Sequence, residues 1–279
     1  MPTGITSAAG GSMTTWEIFG IRHAVNRTRK RGQNFINDAD PLAPLQMDFY
    51  CWVLRSGDRV IVVDTGMDPV KGAATGNVQV ISPVEAWRAL GVDPAAVDTV
   101  VLTHAHYDHM GYLGALPTAR FLMQAEEMAY VTGPLMEKAT FRQAYKPDEI
   151  GQLVTLLHGG RLHLHGRELR IADGVSAHWV GGHCAGQEVL RVRTARGWVV
   201  LASDALHYYE ELDRGVPFAI AVDLGAMLAA HDLIRELADS EAHIIPAHDP
   251  LIADLYPAVS PDLAGRILRL DATPAARDS

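Results

Sequence analysis

A chain of 279 residues, 48% of them hydrophobic, carries enough apolar material for a large buried core, and layered α/β folds of this size often form one domain. The formal net charge of -9 lacks the basic footprint of nucleic-acid binders and excludes DNA or RNA as the expected partner. Two cysteines are too few for a disulfide scaffold, and no apolar run reaches membrane-spanning length, so a soluble cytoplasmic protein with no membrane partner is expected.

The opening stretch MPTGITSAAGGSMTT has neither the basic start nor the apolar centre of a signal peptide. Residues 1–14 are expected to be a disordered tail, and 15–279 a single domain. Short apolar or alternating runs predict strands at WEIFGIR (16–22), DFYCWVLR (48–55) and RVIVVDTG (59–66), the last two joined by the turn SGD. SPVEAWRALGV (82–92) predicts a helix, with a Ser cap, Pro at the first helical position, apolar spacing through Val84, Trp87 and Leu90, and a stop at Gly91. DTVVL (98–102) predicts a buried strand, and ARFLMQ (119–124) another. From 125 to 158 the pattern is helical, with breaks expected at TGP and KPDE, and predicts a cap or insertion.

Strand-like runs return at RLHLH (161–165), ELRIADG (168–174), VSAHWV (175–180), EVLRVRT (188–194) and GWVVLASD (197–204). A helix is expected over 223–238, with Leu224, Met227, Leu228, His231 and Ile234 on one stripe, before a short strand in HIIPAHD. Two sets of strands, each followed by helix, predict an α/β fold of αββα layering, two packed mixed sheets with helices on the outer faces.

The stretch THAHYDHMG (103–111) gathers His104, His106, Asp108 and His109 directly after a buried strand. In an extended segment, side chains two apart point to the same side, so His104 and His106 can face one point. Neutral imidazole and carboxylate are the donors that borderline divalent metals such as zinc prefer. Given the His and Asp content, H-x-H-x-D-H arises by chance in roughly one such sequence in five hundred, which argues against an ordinary polar loop. One such cluster cannot close a tetrahedral site without strain. Further donors are available in His183 of VGGHCAG, Asp204 after WVVLAS, and His248 of IIPAHD, each at or just beyond the end of a predicted strand. Five histidines and two carboxylates suit two metals sharing an aspartate, about 3.5 to 4 Å apart.

In the order VVDTGMD, THAHYDHMG, VGGHCAG, LASDA and IPAHD, the chain resembles the metallo-β-lactamase fold superfamily, in its N-acyl homoserine lactonase and pyridoxolactonase-like branch. The resemblance implies that His104, His106 and His183 hold one divalent ion, Asp108, His109 and His248 a second, and that Asp204 bridges the two. Zinc is the expected metal. A cysteine stands at the Asp204 position in the common zinc β-lactamases, so the resemblance implies a dimetal hydrolase outside that class. It implies that a small lactone is opened by attack of a metal-bridging hydroxide. Asp108, with a free oxygen, is the candidate to carry the proton to the leaving oxygen. A homodimer is an open assembly.

Where the acyl homoserine lactonases place a tyrosine three residues beyond the bridging aspartate, this chain has His207, followed by Tyr208 and Tyr209. His207 or Tyr208 is therefore the candidate donor to the developing oxyanion, against a purely structural HYY edge. Asp64 is expected to orient a ligand histidine, and Gly111 to allow close backbone approach. Cys184, Tyr107, Tyr112, Phe218, Phe49, Tyr50 and Trp52 are expected to pack first, some of them bordering the pocket. His23, His158, His163, His165, His178, His231 and His243 lack partners at ligand spacing and are expected to be structural. The basic run NRTRKRG (26–32) is a solvated loop, or else a lid or clamp for an anionic substrate. Two other activities fit the same core: a thioester hydrolase of glyoxalase II type, whose basic C-terminal helical region is reduced here to PDLAGRILRLDATPAARDS, and a catalytically silent binding protein.

Overall fold

The computed structural model describes residues 14–277. The expected tail lies on residues 1–13, outside the described residues, except for Thr14, whose amide donates to Asp173 Oδ2 at 3.0 Å. The strands are β1 (Glu17–Asn26), β2 (Met47–Ser56), β3 (Arg59–Val63), β4 (Val78–Gln79), β5 (Thr99–Leu102), β6 (Arg120–Gln124), β7 (Leu162–His165), β8 (Glu168–Ala172), β9 (Val175–Trp179), β10 (Glu188–Thr194), β11 (Gly197–Ser203), β12 (Ile244–Pro246) and β13 (Ile267–Arg269). The helices are α1 (Pro69–Ala73), α2 (Pro83–Ala89), α3 (Ala125–Val131), α4 (Ala139–Arg142), α5 (Pro147–His158), α6 (Tyr209–Arg214), α7 (Leu224–Leu237) and α8 (Ile252–Leu255).

One sheet runs β13-β1-β2-β3-β5-β6-β7, with β4 against β1, and the other runs β12-β11-β10-β9-β8. Both are mixed. In the first, β3, β5, β6 and β7 are parallel neighbours, and in the second β11 and β12 are. Alternation along β2 shows how they stack. Tyr50, Trp52 and Leu54 enter the core between the sheets with Leu190, Val192, Val199 and Leu201, while Cys51 and Val53 face the opposite core with Trp87, Met128 and Leu153. Both faces of β2 are therefore covered, which explains its near-continuous apolar run. A third cluster packs Ala230 and Ile234 of α7 on Val189, Val200 and Ile244, completing the αββα order.

Helix α2 begins as expected: Ser82 Oγ accepts from the Glu85 amide at 3.4 Å, and Glu85 returns to the Ser82 amide at 3.1 Å. Such a reciprocal cap contributes about 1 kcal/mol. Several expectations are corrected. RLHLH belongs to the first sheet, as β7 beside β6, so the exchange between sheets falls after it. The break expected at KPDE is present: residues 143–146 are non-helical, and Pro147 then opens α5 at its first position, where the missing N–H costs nothing. In α7 the buried stripe is Met227, Ala230, His231 and Ile234, with Leu224 and Leu228 exposed. The helix starts against the loop after β9, where Val222 and Asp223 amides donate to Gly182 O, and its first turn is not covered on that side. The strand β13, which closes the edge beside β1, has no counterpart in the sequence pattern above.

Candidate metal centre

Five loops leave the C-terminal ends of β3, β5, β9, β11 and β12 and carry Asp64, the 103–111 motif, His183, Asp204 and His248 respectively. The 103–111 loop is pressed onto the loop after β3. Thr65 N donates to His109 O at 2.7 Å and Gly111 N to Gly66 O at 2.6 Å. A side chain at Gly111 would put a Cβ 2.1 Å from Asp68 N, so the close approach there requires glycine. Asp64 itself sits at φ 57°, a left-handed conformation costly for a non-glycine residue. That conformation aims its carboxylate at three donors: Thr103 N and Thr103 Oγ1, each at 2.8 Å, and His109 Nδ1 at 2.7 Å. Thr103 Oγ1 also meets Ser203 Oγ at 2.7 Å, and Ser203 has φ 47°. The ends of β5 and β11 are thereby tied across the two sheets.

The seven expected donors converge. His104, His106, His183 and Asp204 offer atoms within 4.8 Å of one another, and so do Asp108, His109, His248 and Asp204. All are buried. Asp204 divides its carboxylate between the groups: Oδ1 lies 3.0 Å from His248 Nε2 and 3.2 Å from His109 Nε2, while Oδ2 lies 3.3 Å from His183 Nε2 and 3.8 Å from His104 Nε2.

The outer ring nitrogens test whether cations fit. His248 Nδ1 lies 2.7 Å from Asp48 O, and His183 Nδ1 lies 2.9 Å from Ile220 O. A carbonyl only accepts, so these Nδ1 atoms carry protons and each ring turns Nε2 toward the Asp204 carboxylate, where its neutral form presents a lone pair. Lone pair facing lone pair is repulsive unless a proton or cation lies between them. His104 Nε2 and His109 Nε2 are buried with no hydrogen-bond partner. Oriented imidazoles, an acceptor-only carboxylate and orphaned inward nitrogens fit divalent ions.

Electrostatics separates the histidines. Burial pushes the pKa values of His104, His106 and His183 down, keeping them neutral. At His109 and His248 burial acts in the same sense, but Asp204 together with other carboxylates outweighs it and raises both.

His207 stands at the same centre, its Nε2 3.2 Å from Asp204 Oδ2 and its ring stacked 3.5 Å from that of Phe218. Tyr208 turns away: its hydroxyl donates to Gln46 O at 3.2 Å and its ring packs on Phe35. Phe49 meets His248 edge-on at 5.0 Å, whereas Tyr50 and Trp52 lie in the core between the sheets. Cys184 is fully buried beside Gln187. A cavity of 140 Å³ opens onto His106 and His183, between Phe141 and Tyr145 of the insertion and Ile220 and Val222 opposite. A larger one, 400 Å³, lined by Arg196, Tyr256 and the segment 273–277, includes none of the donors.

Several supporting residues have no motif to announce them. Glu127 accepts from Ala105 N at 3.0 Å and Gly186 N at 2.9 Å, bracing both histidine loops from α3. Glu211 accepts from His207 N at 2.8 Å and Tyr208 N at 2.9 Å. Asp48, held by Arg22 at 2.5 Å, presents the carbonyl that orients His248. The available signal is an acidic residue at a position that strand or helix periodicity assigns to the core, as in MDFYC and AEEMAYV.

Fold and donor geometry define a two-centre metallohydrolase scaffold. Residues 50–248 match the metallo-beta-lactamase superfamily model, and the chain belongs to that superfamily. An N-acyl homoserine lactonase from Bacillus thuringiensis is 26% identical over 216 residues, covering 72% of this chain and 80% of the relative. Another, from Rhizobium radiobacter, is 27% identical over 175 residues, covering 60% and 64%. Among solved structures, a quorum-quenching N-acyl homoserine lactone lactonase superposes with TM-score 0.68 at 22% identity, over 85% of this chain and 93% of that one. A dizinc quorum-quenching lactonase bound to product gives TM-score 0.66 at 14% identity, over 86% and 89%. Among the described residues no helix is long and apolar enough to cross a membrane.

Proposed function

We propose that this protein is a lactone hydrolase, a single catalytic domain from residue 15 onward that works with two divalent ions, zinc in the first instance. His104, His106 and His183 hold one ion, Asp108, His109 and His248 the other, and Asp204 reaches both. The observation that carries the proposal is the split of the Asp204 carboxylate between two sets of inward-facing imidazole nitrogens. The curated relatives named N-acyl homoserine lactonase support lactones as the substrate class. Two free buried cysteines suit a cytoplasmic setting.

When bound, such a pair of ions supplies hydroxide near neutral pH and polarises an ester carbonyl. The chain's own groups do the rest. Asp108 Oδ2, 3.6 Å from His109 Nε2 and 3.9 Å from His248 Nε2, stands beside the second group with an oxygen free to take the nucleophile's proton and deliver it to the ring oxygen as the acyl C–O bond breaks. Water adds across that bond, and the product is a hydroxy acid. His207, rather than Tyr208, is the candidate to donate to the substrate oxygen, because its Nε2 stands at the centre beside Asp204 while the Tyr208 hydroxyl turns away to Gln46 O. The cavity beside His106 and His183 receives the substituent on the ring.

The test is a panel of lactones, thioesters and phosphodiesters offered to metal-replete protein and scored by product mass. Ring-opened hydroxy acids are expected; turnover of thioesters alone would replace the lactone assignment with a glyoxalase II type activity.

A further inference from the structure

Of the four cations in the basic run at 27–31, Arg31 is spent on carboxylates, and Arg29 is held in place without one. Arg31 pairs with Asp38 at 2.8 Å and with Glu210, and Arg214 joins the same two carboxylates at 2.9 and 2.7 Å. Arg29, half-buried, has no carboxylate partner among the described residues. Its Nε donates to Asn34 Oδ1 at 2.8 Å and its Nη2 to Gln33 O at 3.1 Å, which fixes the plane of the guanidinium and leaves Nη1 without a hydrogen bond among those residues.

That guanidinium lies against an aromatic ring at the edge of the donor centre. Its central carbon lies 5.9 Å from the centre of the Phe218 ring, the ring that stacks on His207. Tyr107 separates His106 from Asp108 in the first donor motif. A second cation, Lys146, lies 4.9 Å over the Tyr107 ring, also without a carboxylate partner among the described residues. Arg29 thus presents a fixed, free guanidinium edge beside the ring that stacks on His207, and Lys146 a second cation over the tyrosine between His106 and Asp108, an arrangement that suits an anion supplied from outside.

We propose that Arg29, assisted by Lys146, binds a carboxylate carried by the substrate whose ester bond lies at the His and Asp centre. The free edge of a pre-oriented guanidinium matches a planar carboxylate, and its half-buried setting strengthens the contact. The proposal rests on the hydrolase reading and narrows it to lactones that bear an acid group.

The experiment compares γ-butyrolactone with the same ring carrying a carboxylate on the carbon beside the ring oxygen. Wild-type protein is expected to favour the carboxylate-bearing lactone in kcat/KM, and Arg29→Gln to lower that preference about tenfold or more, chiefly through KM. Arg27→Gln, at an exposed neighbour, serves as the charge control and is expected to keep the preference. An unchanged preference in Arg29→Gln, or an equal loss in Arg27→Gln, overturns the clamp. If neither lactone is opened, the hydrolase reading fails on its own, and the clamp is decided by calorimetry with the ring-opened acids. Arg29→Gln then weakens the dicarboxylate about tenfold relative to the monocarboxylate, or the clamp is wrong too.

Discussion

The two donor groups meet at Asp204 and are built from opposite chemistry around it. On one side stand three neutral histidines, backed by a threonine hydroxyl behind His104 and a carbonyl behind His183. On the other stand two histidines and Asp108, with the Asp64 carboxylate directly behind His109. The same contrast explains why burial depresses His104, His106 and His183 while carboxylates lift His109 and His248. Positive charge is held more firmly on the second side, because more fixed negative charge surrounds it. A chelator should therefore remove the ion of the three-histidine group first.

Asp204 is common to both sides, and its loss should have the largest effect. Asp204→Asn is expected to lower metal content well below about two ions per chain and kcat/KM by roughly a thousandfold or more. Elemental analysis beside kinetics checks this, and full retention of both ions would break the picture of a shared carboxylate. Asp108→Asn acts on the second side alone. With the metals restored by excess zinc, kcat should fall about 100- to 10,000-fold through loss of the proton carrier. Near-normal turnover with both ions present removes that role. Asp64→Asn touches no substrate, yet it should weaken metal affinity of the second group about 10- to 100-fold. The order of loss to chelator should then reverse, and an unchanged order would mean that Asp64 does not set the difference between the sides.

Much of this centre was legible because its donors sit where strands end. A buried parallel strand advertises itself by a continuous apolar run, and DTVVL, WVVLAS and HIIP each deliver a donor within two residues of the strand end. The layering followed from the same runs. Convergence did not: nothing in periodicity says that β11 pairs in parallel with β12, or that Ser203 meets Thr103 from the other sheet. Glu127 and Glu211 were silent because a carboxylate that braces backbone amides leaves no spacing rule in the chain. β13 was missed because three residues alternating against β1 are too few to carry a pattern. The split between Arg29 and Arg31 also lay beyond the sequence, since it depends on which of them meets Asp38 and Glu210 in space.

A third contact of the same chemistry sharpens the comparison by having no metal partner. His165 Nε2 lies 3.2 Å from Glu188 Oε2, where the end of β7 meets β10, and neither residue belongs to the two donor groups. One imidazole and one carboxylate satisfy each other's charge and leave too few donors for an ion, so their consequence should be pH-linked stability. Burial pushes the Glu188 carboxyl up to about 7, with His165 working against the rise; burial also acts to lower His165, but Glu188 outweighs it and raises that ring. Both groups thus bind protons more readily in the folded chain than in the unfolded one. For Glu188, the stability gained is fully present below the unfolded carboxyl value of roughly 4.3 and is lost as pH rises through about 7. The loss is bounded at about 4 kcal/mol by linkage. Glu188→Gln removes the titrating carboxyl and with it that slope. Denaturant unfolding of both proteins at saturating metal, between about pH 5 and about pH 8, should show the variant gaining on wild type as pH rises. Comparing differences cancels the common dependence of metal binding on pH, so a constant gap would mean that this pair keeps one protonation state throughout.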